Sequence, residues 1–249
     1  MTYDALIVGG GHNGLVCAFY LARAGYRVRV LERREIVGGA AITEEFHPGF
    51  RNSTASYSVS LLNPKVIADM QLARHGLRVV IRPLSYFAPA DDHRYLILDK
   101  DPERSRREVA RFSERDAGRL AAFHEHLDGA VELLRSLLLK TPVNPAGGPR
   151  DLIGALGLAA QVRRLGLPGQ ERLLDLFGKS AGDILDAWFE TDLLKGVLGF
   201  DATIGNYASP YTPGSAYVLL HHVFGEVNGI KGAWGHAIGG MGSITQAMA

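Results

Sequence analysis

The 249 residues carry 27 lysines and arginines against 26 aspartates and glutamates, a net charge of 27 − 26 = +1. A chain this neutral lacks the electrostatic footprint for nucleic acid, and 47% apolar with 21% charged residues excludes a disordered polypeptide. One cysteine, Cys17, excludes an internal disulfide, a zinc site built on two or more thiolates, and a redox-active cysteine pair.

Asp4 to Val8 is short and uniformly apolar, which predicts a central parallel strand covered on both faces. A glycine cluster follows, then a helix over Gly14–Ala24 with Leu15, Ala18, Phe19 and Ala22 on one stripe and Gly25 at its C-terminal cap. Arg27 to Leu31 is the next strand, which completes a βαβ unit with a parallel sheet. Residues 33–62 read as irregular. Asn63-Pro64 opens a helix that Gly76 closes, and Leu77–Arg82, Tyr86–Ala88 and Tyr95–Leu98 read as strands of a second, antiparallel sheet. Asp101-Pro102 caps a charged helix. Ser113 with Asp116 reads as a capping box for a longer one, whose stripe is Leu120, Phe123, His124, Leu127, Val131, Leu134 and Leu138. Pro142–Pro149 is a linker or sharp loop, and Asp151–Gly199 is helical and strongly apolar. A helix is expected over Gly214–Phe224. The turn Gly239-Gly240-Met241-Gly242 starts another at Ser243 that is expected to be poorly anchored, a sign of an incomplete polypeptide.

Glycine is the compositional outlier, 30 residues in 249. Its use is concentrated where chemistry is expected. Gly9, Gly11 and Gly14 form G-x-G-x-x-G, interleaved with Gly10, His12 and Asn13, after a strand and at the start of a helix. Glu32 ends the next strand. Gly9 permits the tight turn, Gly11 the close approach of a pyrophosphate, and Gly14 the packing of helix on sheet. The helix N-terminus offers free N–H groups and a positive dipole to the phosphates, and Glu32 can accept hydrogen bonds from ribose hydroxyls. FAD and NAD share this fingerprint. The position of the motif and a second glycine pair, Gly38-Gly39, favour FAD, while Arg33 and Arg34 leave NADP open.

The chain resembles the phytoene desaturase-like FAD-dependent oxidoreductases in several blocks. These are Glu32-Arg33-Arg34 followed by Gly38-Gly39-Ala40-Ala41 and Thr43-Glu44-Glu45, then Pro48–Phe50, Ala55–Tyr57, Leu61–Pro64, His75–Arg78, Ser209–Val223 and Gly232–Gly242. The resemblance implies an α/β architecture: a Rossmann-like FAD/NAD(P)-binding domain with a parallel sheet, and a largely helical substrate domain with a small second sheet. The division is expected at residues 1–75 and 76–249. It implies FAD as cofactor, hydride transfer from a substrate C–H bond to the flavin, an apolar, isoprenoid-like small-molecule substrate, and an electron acceptor such as a quinone or oxygen. Gly9, Gly11, Gly14, Glu32, Gly38 and Gly39 would contact the FAD, within a site spanning Gly9–Gly14, Glu32, Arg33 and Gly38–Ala40. Ala40 stands where many flavin desaturases and amine oxidases carry arginine, which weakens transfer of their substrates. Members of this family run about twice as long, so the carboxy-terminal half of the fold is expected to be absent. The chain is then expected to bind FAD weakly alone, or to need the missing segment or a partner chain. Two competing readings are a non-catalytic binding protein resembling the dissociation inhibitors of prenylated GTPases, and an NAD-dependent dehydrogenase.

No general acid, base or metal ligand set stands out. Cys17 is expected to be a buried small hydrophobe, Trp188 and Trp234 to be packing residues, and His221-His222 to be no metal pair. His12 can touch phosphate or flavin, or simply suit the turn. Tyr207, Tyr211 and Tyr217 can line a substrate pocket. Leu152–Ala160 has two readings, a membrane or lipophilic-substrate contact and a buried helix interrupted by Arg163-Arg164, of which the buried helix is favoured. There is no basic segment followed by an apolar run at the amino terminus and no stretch of roughly 18–20 apolar residues, so the expected compartment is the cytoplasm, with peripheral membrane contact open.

Overall fold

A computed structural model describes residues 2–91, 93–144 and 146–249, and the side chains of His221 and His222 lie outside the described residues. Strand β1 (Ala5–Val8) pairs in parallel with β2 (Val28–Leu31), Ala5 opposite Val28 and Val8 opposite Leu31, with α1 (His12–Arg23) as the crossover. Gly25 ends α1 as expected. Its φ of +92° lets its own N–H reach the Ala22 carbonyl at 2.9 Å while Tyr26 N–H reaches Leu21 at 3.1 Å, the two bonds of a Schellman cap.

Two expectations fail here. Only the face of Ala5 and Ile7 is partly covered; Leu6 and Val8 stay open, Val8 at 86%. A four-residue apolar run does not reveal whether one face or both will be packed. Cys17 is exposed rather than buried. The turn of α1 that packs uses Leu15, Val16 and Phe19, with Val16 and Phe19 against a cluster of Met70, Leu72, Ile244 and Ala247.

The stretch expected to be irregular contains an antiparallel hairpin, β3 (Thr43–His47) with β4 (Phe50–Ser53), turning at Pro48-Gly49. Helix α2 (Pro64–Asp69) begins as expected, Lys65 N–H donating to Asn63 Oδ1 at 2.9 Å, but gives way to turns before Gly76. Asp69 accepts from Tyr20 Oη (2.7 Å) and Lys65 Nζ (2.5 Å), tying α2 to α1. Strand β5 (Val79–Ile81) follows.

The next elements form a helical unit. The hairpin β6 (Leu84–Pro89) and β7 (Tyr95–Asp99) leads into α3 (Pro102–Ala110), capped by Asp101, and α4 (Glu114–Arg135), capped by Ser113. Then come α5 (Pro149–Arg164), α6 (Gly166–Gly178), α7 (Ala181–Trp188) and α8 (Asp192–Phe200). In place of the single helix expected over Gly214–Phe224, a 3-10 run over Ser215–Leu220 ends in the short α9 (His221–Phe224). Leu120, Phe123, Leu127 and Val131 of α4 are buried in one cluster with Leu176, Leu185 and Leu219, while His124 and Leu138 are exposed. Trp188 packs edge-on to Phe123, ring centroids 5.6 Å apart. The capping box expected at Ser113 is not formed: Ser113 Oγ accepts from Asp116 N–H, but the Asp116 carboxylate is used elsewhere. A box with both bonds present occurs at Ser180 and Asp183.

The chain then adds a hairpin, β8 (Glu226–Val227) with β9 (Ile230–Lys231), on the turn Asn228-Gly229, both at positive φ as a type I′ turn requires. β10 (Gly235–Ala237) pairs antiparallel with β5, and α10 (Gly242–Met248) packs against α1. The three strands expected in one second sheet therefore belong to two, β5 with β10 and β6 with β7.

Contacts divide the chain into two compact units, Met1–Arg82 with Gly225–Ala249, and Pro83–Phe224. The fold is a Rossmann-like unit with a parallel strand pair and a largely helical unit with a small sheet. The division differs from residues 1–75 and 76–249, because β10 and α10 return to the first unit. α10 is also well anchored: Ile244, Thr245 and Ala247 are buried.

Candidate dinucleotide site

The turn between β1 and α1 is built almost entirely of backbone. Gly9 has φ +103°, and its N–H donates to the Leu31 carbonyl at 2.7 Å, which extends the sheet ladder by one residue. Gly11 is the extended N-cap of α1, without a side-chain cap. The first-turn amides of His12, Asn13 and Gly14 thus have no intrahelical acceptor, and no acidic side chain occupies that turn. A Cβ at Gly9 would meet nothing within 4 Å, one at Gly11 would reach only backbone at 3.9 Å, and one at Gly14 would overlap the Gly9 carbonyl oxygen. Gly14 is therefore glycine because the helix rests on the turn itself.

Glu32 points into this turn. Its Oε2 accepts from Gly10 N–H at 2.7 Å and its Oε1 from Arg34 N–H at 2.9 Å. The amides of Arg34 and Gly10 hold its carboxyl below the usual glutamate range, so it is an anion at neutral pH. A carboxylate offers about four acceptor positions, so two remain for an incoming hydroxyl. The Arg34 guanidinium is tied to Glu44, while the Arg33 side chain is exposed.

The second glycine pair lies against the first. Gly38 N–H donates to the Gly10 carbonyl at 2.9 Å, Gly11 and Gly38 form a parallel bridge, and a Cβ on Gly39 would lie 3.2 Å from Gly11 Cα. Gly38 and Gly39 have φ +141° and +57°, and Ala40 beside them is exposed. The structure thus gathers Gly9, Gly10, Gly11, His12, Asn13, Gly14, Glu32, Gly38 and Gly39 at one place, with the His12 and Asn13 side chains exposed in the first turn.

Sequence reasoning misses the layer that supports the second turn. Thr245 Oγ1 donates to the Ala41 carbonyl at 3.0 Å, and Gln246 Nε2 donates to the Val37 carbonyl at 3.1 Å. Gly242 N–H reaches Thr43 Oγ1 at 2.9 Å. The Gly239–Gly242 turn is visible in the sequence, but nothing local shows that it clamps residues 37–43.

In the helical unit, a cavity of about 400 Å³ is lined by Leu185, Asp186, Asp192, Lys195, Phe200 and Tyr211. Of the three tyrosines that can line a substrate pocket, Tyr211 lines this cavity; Tyr207 is fully exposed, and Tyr217 stacks on Phe177 at 5.1 Å. Lys195 Nζ donates to Asp186 and Asp192 at 2.9 Å each, which raises its pKa, so it carries a fixed charge and is no base. Among the described residues no group of three or more His, Cys, Asp or Glu side chains is placed to hold a metal ion, and no helix is long and apolar enough to cross a membrane. Trp234 lies under the Arg82 guanidinium at 5.4 Å.

Residues 7–71 match the family described as NAD(P)-binding Rossmann-like domain. Along 99% of its length the chain is similar to pyridine nucleotide-disulfide oxidoreductase domain-containing protein 2 of Rattus norvegicus, 39% identical over 261 residues, and spans 45% of that relative. It is 42% identical over 146 residues to a subunit of limonene dehydrogenase from Castellaniella defragrans, covering 57% of this chain and 26% of the relative. Among solved structures, cyclohexylamine oxidase from Brevibacterium oxydans aligns with 100% of this chain and 49% of its own at a TM-score of 0.55 and 20% identity, a likeness of fold. The chain thus spans about half the length of the proteins it matches along its whole extent.

Proposed function

We propose that this relative of pyridine nucleotide-disulfide oxidoreductase domain-containing protein 2 carries the nucleotide-binding part of an FAD-dependent oxidoreductase. The observation that carries the reading is the pair of touching glycine turns with Glu32 bonded to Gly10. The amides at the start of α1 would hold the diphosphate, where Gly9 and Gly11 leave room for it and the first helical turn carries no acidic side chain. Glu32 would accept from the adenosine ribose hydroxyls with its remaining lone pairs. Gly38 and Gly39 bring a second strip of backbone to the same place, which a flavin dinucleotide can use and a nicotinamide dinucleotide does not need.

Bound FAD supplies the redox chemistry by accepting a hydride from a substrate C–H bond. The residues of this chain bind and orient it. The substrate class is apolar and isoprenoid-like. The similarity to a limonene dehydrogenase supports this, limonene being an isoprenoid hydrocarbon. The electron acceptor that this reading implies is a quinone, oxygen or another oxidant. The helical unit is the substrate part.

Calorimetric titration of the purified chain with FAD, NAD⁺, NADP⁺ and ADP tests this reading. FAD is expected to bind most tightly and ADP measurably. Binding of NAD⁺ but not FAD would replace the reading with a nicotinamide dehydrogenase, and binding of none, by this chain and by a version extended to the length of its relatives, would remove it.

Glu32→Gln is expected to weaken FAD about tenfold, the scale of a lost charge-assisted hydrogen bond, and to narrow the gap between NAD⁺ and NADP⁺. Because the Glu32 pKa is lowered, the carboxylate persists through the neutral range. Wild-type affinity should stay flat on acidification and fall only below the ordinary glutamate value of 4.5. Titrations repeated across that range check both statements.

A further inference from the structure

Helix α5 is inverted relative to a surface helix. It contains no buried residue, which corrects the buried-helix reading of Leu152–Ala160. At 100° per residue, Leu152, Ile153, Leu156, Ala159, Ala160 and Arg163 fall within about 120° of arc, and all six are exposed, Ile153 at 69%. Solvent-facing arcs of surface helices are normally charged. Here the arc is aliphatic along its first three turns, and Leu167, just beyond its end, is 80% exposed. Contiguous exposed apolar surface of this kind marks an interaction site.

The charges decide the partner. Arg150 flanks the arc at one end, and Arg163 and Arg164 at the other. Asp151 lies outside the arc, and its Oδ1 accepts from Asn144 N–H at 3.0 Å. Two copies laid face to face, parallel or antiparallel, would oppose only positive ends. A protein interface is typically anchored by aromatic side chains and several hydrogen-bonding groups; the arc has no aromatic residue and Arg163 as its one hydrogen-bonding side chain. A bilayer surface needs only aliphatic side chains to enter the acyl boundary and basic side chains long enough to reach lipid phosphates. We propose that the outward face of α5 docks in the plane of an anionic lipid surface, with Leu152, Ile153 and Leu156 inserted and Arg150, Arg163 and Arg164 on the headgroup phosphates.

The test is sedimentation of the full 249-residue chain with vesicles of phosphatidylcholine containing phosphatidylglycerol, against phosphatidylcholine alone. The chain is expected to pellet with the anionic vesicles only, and less as salt is raised. Ile153→Glu with Leu156→Glu should reduce partitioning at least tenfold, the scale of two inserted aliphatic side chains lost. Arg163→Gln and Arg164→Gln should each reduce it about fivefold. These side chains are exposed, so unchanged melting curves confirm that the variants are folded. Failure of the wild type to pellet with anionic vesicles overturns the proposal. So does pelleting that the glutamate substitutions leave unchanged, or a concentration-dependent dimer that they abolish in a chain indifferent to vesicles. Because dinucleotide binding is not part of the readout, the result is independent of the cofactor reading.

Discussion

Gly14→Ala is expected to abolish FAD binding and to destabilise the Rossmann-like unit by about 3 kcal/mol, the upper range of overpacking against a site that cannot yield. Two effects compete at this position. Alanine in a helix is ordinarily better than glycine by about 1 kcal/mol, so helix propensity alone predicts a gain. The added Cβ, however, would overlap the Gly9 carbonyl oxygen and come within 3.4 Å of Ile7 Cγ2. Neither neighbour can step aside. Gly9 is held by its bond to Leu31 at 2.7 Å, and Ile7 is paired in the sheet opposite Val30. Relief requires α1 to lift from β1, which moves the amides of His12 and Asn13 away from where the diphosphate would lie. Gly118→Ala in α4 is the control. That glycine is exposed in mid-helix, with nothing within 4 Å of an added Cβ, so alanine should stabilise by about 0.5–1 kcal/mol. Urea unfolding and flavin fluorescence quenching on both variants check the pair. A Gly14→Ala protein that gains stability and retains FAD would show that α1 does not rest on the turn.

What can be read from the sequence follows from how local each feature is. The strand–glycine turn–helix–strand unit is legible because its parts lie within about thirty residues and each glycine has one steric role. The caps at Asn63, Asp101, Ser113 and Gly25 are legible for the same reason. Two hairpins absent from the expected elements do carry local signals, Pro48-Gly49 between Phe46 and Phe50, and Asn228-Gly229. The pairing of β10 with β5 carries none. Gly-His-Ala has no strand preference, and its partner lies far away in the chain, so only tertiary contact makes it a strand. The same holds for Thr245 and Gln246, whose partners are the carbonyls of Ala41 and Val37. Orientation is hidden too. Periodicity shows that Leu6 and Val8 share a face and that Leu152 and Leu156 share another, but not that both faces open to solvent.

Asp116 is the polar residue whose importance is least visible in the sequence, and its removal should give the second large effect. It is fully buried, and its carboxylate accepts from Glu190 N–H at 3.0 Å and Thr191 N–H at 2.9 Å, which joins the start of α4 to the loop before α8. Burial alone would raise its pKa, but the amides of Glu190 and Thr191 outweigh burial and lower it. Asp116→Ala would leave those amides buried without an acceptor, at about 1–3 kcal/mol each, so the helical unit should lose about 3–5 kcal/mol. Asp116→Asn keeps one acceptor oxygen but sets an NH₂ group against the second amide, and should fall between. The sign of the pH dependence follows from the lowered pKa. The unfolded chain titrates near 3.8 and the folded chain lower, so the unfolded state binds the proton more readily. The stability from this carboxylate is fully present above the unfolded value and is lost as pH falls through it toward the folded value. Urea midpoints of wild type and Asp116→Asn, measured from neutral pH down into that range, should therefore converge on acidification. Parallel curves, or an Asp116→Ala protein as stable as wild type, would mean that water or a rearranged loop satisfies the amides of Glu190 and Thr191 instead.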